Sequence, residues 1–135
     1  MHFTRIATAL VAASLVSACA TTHGGDAPIK VEANDFHAIS MMVWHPSTCA
    51  AGALAEVRVT EEPKHGEIIV TKLPLTQDNP SKTCFNKDIL ARVIIYKPNK
   101  DYRGPDSFAI KYSRQLDDRD MRKGWSSDRF EVIVE

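Results

Sequence analysis

Residues 92–112 read RVIIYKPNKDYRGPDSFAIKY, and the fold follows from how that stretch is parsed. An apolar run ends at Tyr96, a polar link carries Pro98, Asn99, Gly104, Pro105 and Asp106, and a second run places Phe108, Ile110 and Tyr112 on one face of an extended strand. Pro98 restrains one corner of the link, and Gly104 relieves the steric conflict just ahead of Pro105. Asp106 has the short carboxylate side chain that caps turns. Tyr96 and Tyr102 supply apolar bodies with polar tips, suited to closing one end of a core.

The order Tyr96, Pro98, Asn99, Tyr102, Gly104, Asp106, Ser107, Phe108 resembles the Y-x-P-N-x-x-Y-x-G-x-D-S-F signature of bacterial immunoglobulin-like and cadherin-like repeats. Pro63-Lys64-His65-Gly66, followed by an apolar run from Glu67 to Thr71, is similar to the P-x-x-G turn that precedes that signature. The resemblance covers residues 60–112 and implies an immunoglobulin-like β-sandwich, an architecture that hosts many unrelated functions. Two features depart from it. The short turn that follows the last aromatic strand of the family is replaced by the charged run 113–124, and the interval from Gly66 to Tyr96 is long and contains Cys84. The expectation is a single domain with decorated loops rather than a repeat in a stalk.

The amino terminus has a different character. Met1 to Arg5 make a short basic start, 6–18 form an apolar run too short to span a bilayer as an ordinary helix, and the run ends at Val16-Ser17-Ala18-Cys19. Leu15 to Cys19 resembles a bacterial lipobox, which implies a signal peptide at 1–18, a lipidated Cys19 and a polar tether at 19–27 before a domain at 28–135. Acyl chains supply the membrane affinity that a polar chain lacks. Ala20 stands where an aspartate would signal inner-membrane retention, so the resemblance implies an outer-membrane anchor with a periplasm-facing domain. The alternative is cleavage after Ala18 and a soluble periplasmic protein.

Removing the first 18 of the 135 residues leaves 117, and because Arg5 is the only charged residue among them the remaining balance is 16 basic against 17 acidic. Near-neutral charge gives no footprint for nucleic acid. With Cys19 assigned to the anchor, Cys49 and Cys84 are expected to form one structural disulfide in an exported chain. Closing the 36-residue segment they bound corresponds to about 4 kcal/mol of unfolded-chain entropy.

The remaining strands are read from alternation: 28–33, 36–44, 54–60, 67–71 and 128–135, the last with Phe130, Val132 and Val134 inward. With the two signature strands this makes about seven, and the fold class expected is an all-β antiparallel sandwich. Residues 73–88, with Pro74 and Pro80, read as a loop held near its end by Cys84. Residues 114–122 read as a short helix or a salt-bridged loop. His37, Met41 and His45 stand at even intervals, so a strand would align them on one face as a copper site. Ordinary half-buried strand residues account for them more simply, and no metal or other cofactor beyond the lipid is expected. Asp117, Asp118 and Asp120 lack the spacing of a calcium loop. Scattered Asp, Glu and His residues reveal no catalytic constellation.

These readings converge on a noncatalytic envelope lipoprotein that binds a protein partner through its two atypical segments. The surface residues expected to take part are Asp78, Lys82, Arg114, Asp117, Asp118, Arg119, Arg122 and Trp125. A glycan- or peptidoglycan-binding module, with Trp44, Trp125 and the tyrosines as stacking platforms, is the alternative.

Overall fold

The computed structural model describes residues 27–117 and 120–135, and for 115–117 and 120–122 the backbone alone. Seven strands run in order: β1 (Ile29–Val31), β2 (His37–Met41), β3 (Val57–Glu61), β4 (Gly66–Thr76), β5 (Asp88–Pro98), β6 (Gly104–Asp117) and β7 (Asp120–Val134). They form two sheets, ordered β1-β7-β6-β3 and β2-β5-β4. All pairs are antiparallel except β1 with β7. The chain is a β-sandwich, as its alternating pattern requires: each sheet buries one face, and only the other sheet can cover it.

The core is drawn from both sheets. Ile94 and Tyr96 of β5 meet Phe108 and Ile110 of β6, Val132 and Val134 of β7, and Val31 of β1. Tyr96 stacks on Phe108 at 5.8 Å between ring centres, and Phe108 on Phe130 at 5.0 Å. The alternation read at 108–112 and at 130–134 is therefore the buried face of sheet β1-β7-β6-β3.

The signature residues lock one end of the sandwich. The Asp106 side chain, 7% exposed, accepts hydrogen bonds from the N–H of Lys64, His65 and Ser107 and from the Tyr96 hydroxyl, at 2.9–3.0 Å. The Tyr102 hydroxyl donates to the Pro105 carbonyl at 2.6 Å, and its ring stacks on His65 at 4.1 Å. Gly66 is required by crowding: a Cβ there would lie 2.7 Å from the Lys97 carbonyl oxygen and 2.8 Å from Tyr96 Cε2. Gly104 is required by its backbone, at φ 131°. The P-x-x-G turn and the signature thus form one unit, joined by a carboxylate that caps a turn about 40 residues away in sequence.

Three segments differ from the sequence expectation. Residues 73–76 continue β4, paired as Leu73↔Ala91 through Thr76↔Asp88, where a loop is expected from Pro74. The reason lies in the register. The Asn99 N–H donates to the His65 carbonyl, and the Gln77 N–H to the Lys87 carbonyl, at the two ends of an unbroken β4/β5 ladder. Odd-numbered residues of β4 therefore bond β5 and even-numbered ones point away from it. Pro74 is even, so its missing N–H costs the ladder nothing. Within 114–122, where a short helix or a loop is expected, the described residues are strand: β6 runs to Asp117 and β7 starts at Asp120, with Asp117↔Asp120 the last pair. Backbone pairing propagates from the apolar Phe108↔Phe130 region into charged sequence, with a register shift between Gln115 and Asp117, because the main-chain N–H and C=O groups must be paired whatever side chains they carry. Finally, β2 stops at Met41, short of the expected strand to Trp44, which makes only an isolated bridge to Ala51.

The expected Cys49–Cys84 disulfide is formed, with a Cα–Cα distance of 5.5 Å. It joins the segment after β2 to the segment between β4 and β5.

Candidate functional site

The β4/β5 and β6/β7 hairpins both run away from the 99–103 link, so the two atypical segments lie at the end of the sandwich opposite the signature. Residues 55 and 56 tie the sheets together there. The Arg92 Nε donates to the Ala55 carbonyl at 2.9 Å, while the Glu56 N–H donates to Ser113 Oγ at 2.8 Å and the Glu56 carbonyl accepts from the Ser113 N–H. The Glu56 carboxylate also pairs with Lys123.

Two surface features result. The first is an open depression of about 350 Å³ lined by Met42, Val43, Trp44 and Pro46 on one side and by Ser81, Lys82 and Thr83 on the other. The disulfide holds its two walls in register. Val43 and Phe85 are exposed nearby in sequence, so this end presents apolar surface on a covalently clamped frame. Lys82 belongs to it, and Asp78 is exposed on the same segment.

The second lies on the outer face of β3, β6 and β7. Alternation that sends Val57, Val59, Ile110 and Tyr112 inward sends Arg58, Lys111 and Trp125 outward. The Arg58 guanidinium carbon lies 5.1 Å from the Trp125 ring centre and Lys111 Nζ 5.4 Å from it, and Trp125 is 39% exposed. Arg58 and Lys111 are cross-strand partners, a like-charge pairing that is ordinarily unfavourable. The π face of the indole offsets part of that repulsion, at about 0.5–1 kcal/mol per exposed cation. Elsewhere on the sheet Arg129 pairs with Glu61 and Glu131, Lys123 with Glu56 and Lys30 with Glu135. Among the described residues, Arg58 and Lys111 have no carboxylate within ion-pair distance.

Of the expected surface residues, Trp125 is exposed on the outer face of β7. Arg114 is exposed on β6. The side chains of Asp117 and Arg122, and all of Asp118, Arg119 and Cys19, lie outside what is described. Asp78 and Lys82 share no hydrogen bond or ion pair with the Trp125 face among the described residues, so the two segments contribute to separate patches. Arg58 and Lys111 were not expected; strand parity marked them as outward, but only the register brings them to Trp125.

The copper alignment is not built as expected. His37 and Met41 share the half-buried face of β2, but the strand ends there, and His45 enters a turn whose carbonyl accepts from the N–H groups of Thr48 and Cys49. No cluster of three or more His, Cys, Asp or Glu residues is placed to hold a metal among the described residues. None of the described residues forms a helix long and apolar enough to cross a membrane.

Comparison of the chain with protein-family models, with curated proteins and with solved structures returns no match.

Proposed function

We propose that this chain is a noncatalytic envelope lipoprotein, anchored by lipid on Cys19 at the outer membrane, whose immunoglobulin-like domain captures a protein partner. The observation that carries the reading is the exposed Trp125 ring in contact with the Arg58 and Lys111 cations on the outer face of β3, β6 and β7. An exposed indole in cation–π contact with two cations that have no ion-pair carboxylate among the described residues is the composition of an interface anchor, with aromatic area for burial and charge to select an acidic surface. The strand order β1-β7-β6-β3 against β2-β5-β4 supports the resemblance carried by the signature. The leader supports the anchor.

The test is quantitative crosslinking mass spectrometry on the full-length chain in its native envelope, comparing wild type with a Trp125→Ala, Arg58→Glu, Lys111→Glu variant. A partner enriched by the wild type and lost in the variant is the expected result. Retention of every partner by a folded variant would refute the assignment of this face. A Cys19→Ser form released from the membrane tests the anchor separately.

A glycan-binding reading draws on the same exposed ring, since sugars stack on indole faces and acidic sugars would meet the two cations. Saturable binding to purified acidic envelope glycans, abolished by Trp125→Ala, would favour it; flat isotherms over a broad range would exclude it.

A further inference from the structure

The four strands at the sheet edges are very unequal. β1 has three residues, β2 and β3 have five each, and β3 is interrupted by a bulge between Val59 and Glu61. Short or bulged edges resist pairing with another chain. β4 is an edge of eleven residues with no register shift along its ladder.

Its open side can be specified atom by atom. Because odd residues of β4 bond β5, the N–H and C=O groups of Gly66, Ile68, Val70 and Lys72 face outward from the sheet edge. Pro74 ends this donor row, having no N–H to offer. The row 66–72 is centred on Ile69, whose side chain stands on the outer face of the sheet and is 42% exposed.

We infer that β4 pairs antiparallel with β4 of a second copy of this chain across a two-fold axis at Ile69. The symmetry follows from the row itself: with Ile69 on the axis, Ile68 lies opposite Val70 of the second copy and Gly66 opposite its Lys72, so each outward N–H meets an outward C=O. Side-chain chemistry agrees with that register. Ile69 meets Ile69 of the second copy in a non-hydrogen-bonded pair, where side chains approach most closely. Glu67 stands opposite Thr71 and Lys72 opposite Gly66, so no like charges face each other and the lysine has no side chain to avoid. A register shifted by two residues toward the carboxyl end would put Pro74 opposite Gly66 and lose that proline's donor. It would also set Ile69 against Thr71 in place of its own kind. Near-neutral net charge opposes no approach of two copies. A second copy is preferred over an unrelated extended peptide because the two-fold register pairs the exposed Ile69 with itself and sets no like charges opposite one another.

The test is cysteine crosslinking in the full-length chain within its native membrane, since the expected register brings identical residues together at one position alone. Ile69→Cys should give a disulfide-linked dimer under mild oxidation, resolved on non-reducing gels and collapsed by thiol. Thr71→Cys and Glu67→Cys should each crosslink at least tenfold more slowly alone, and efficiently with one another when co-expressed. Wild-type protein in detergent should sediment as a dimer, and Ile69→Lys, which places like charges face to face at an exposed position, should weaken that dimer at least tenfold while leaving thermal unfolding unchanged at concentrations where both proteins are monomeric. An Ile69→Cys form that crosslinks no faster than Thr71→Cys overturns the inference, and so does a wild type that sediments as a monomer throughout.

Discussion

Replacing Asp106 by alanine removes the common acceptor of four donors, three of them outside its own turn: the N–H groups of Lys64 and His65 and the hydroxyl of Tyr96. Hydrogen bonds to a charged group contribute about 1.5–3 kcal/mol each, so a simple sum over those three is roughly 4.5–9 kcal/mol. That sum overstates the loss, because members of one network are not additive. Water also has partial access, since a depression lined by Glu61, Lys64, His65, Pro105 and Arg129 opens beside the carboxylate. Water entering there can satisfy the two backbone donors, but the Tyr96 side chain is 1% exposed and its hydroxyl would be left without an acceptor. The expected cost is about 3–5 kcal/mol, a large part of the roughly 5–15 kcal/mol that holds a domain folded. Urea unfolding at neutral pH with the disulfide intact measures it, as a lower midpoint at unchanged slope. Asp106→Asn, which keeps one acceptor oxygen, should lose about half as much, and a double-mutant cycle with Tyr96→Phe should show coupling of about 1–2 kcal/mol. A loss below about 1 kcal/mol for Asp106→Ala would mean that the carboxylate does not join the turn to the signature.

Further outcomes follow from the same geometry. Burial pushes the Asp106 carboxyl up, but the N–H groups of Lys64, Ser107 and His65 and the Tyr96 hydroxyl outweigh it and hold the carboxyl below its usual range. Its contribution is therefore full above the unfolded value, near pH 4 or about 3.9, and is lost as pH falls through the lower folded value, a loss that Asp106→Asn should abolish in acid denaturation curves. Burial, and then the bond to Asp106, raise the Tyr96 phenol, so its contribution is lost as pH rises above about 10, and Tyr96→Phe should flatten that alkaline limb. Replacing Cys49 and Cys84 together by serine should lower stability by about 4 kcal/mol on the loop-entropy estimate, read as a shift in urea midpoint against the oxidised wild type. Gly66→Ala forces a Cβ against the Lys97 carbonyl and the Tyr96 ring and should cost about 1–3 kcal/mol, whereas Trp125→Ala at its exposed site should cost about 1–2 kcal/mol at most.

The buried faces of β6 and β7 were legible in the sequence because period-2 alternation reports which side of a strand meets the core, and Phe108, Ile110, Val132 and Val134 keep that period without interruption. The disulfide was legible because two cysteines remained once Cys19 was set aside. Asp106 was legible as a cap, but not which turn it caps: its partners Lys64 and His65 are distant in sequence, and a carboxylate gives no sign of how far away its donors are. Pro74 was misleading for a related reason. A proline breaks a ladder only when its nitrogen faces the neighbouring strand, and that parity exists only once β4 has a register with β5. The Arg58–Trp125–Lys111 patch belongs to the same class. Composition supplied the three residues and alternation turned them outward, yet their meeting depends on β3, β6 and β7 lying side by side in one register. Sequence by itself determined what the alternating parts of β6 and β7 bury, since burial there is written in local periodicity; tertiary structure decided how far the strands extend and which residues share a surface, since both depend on pairings between segments that no local pattern encodes.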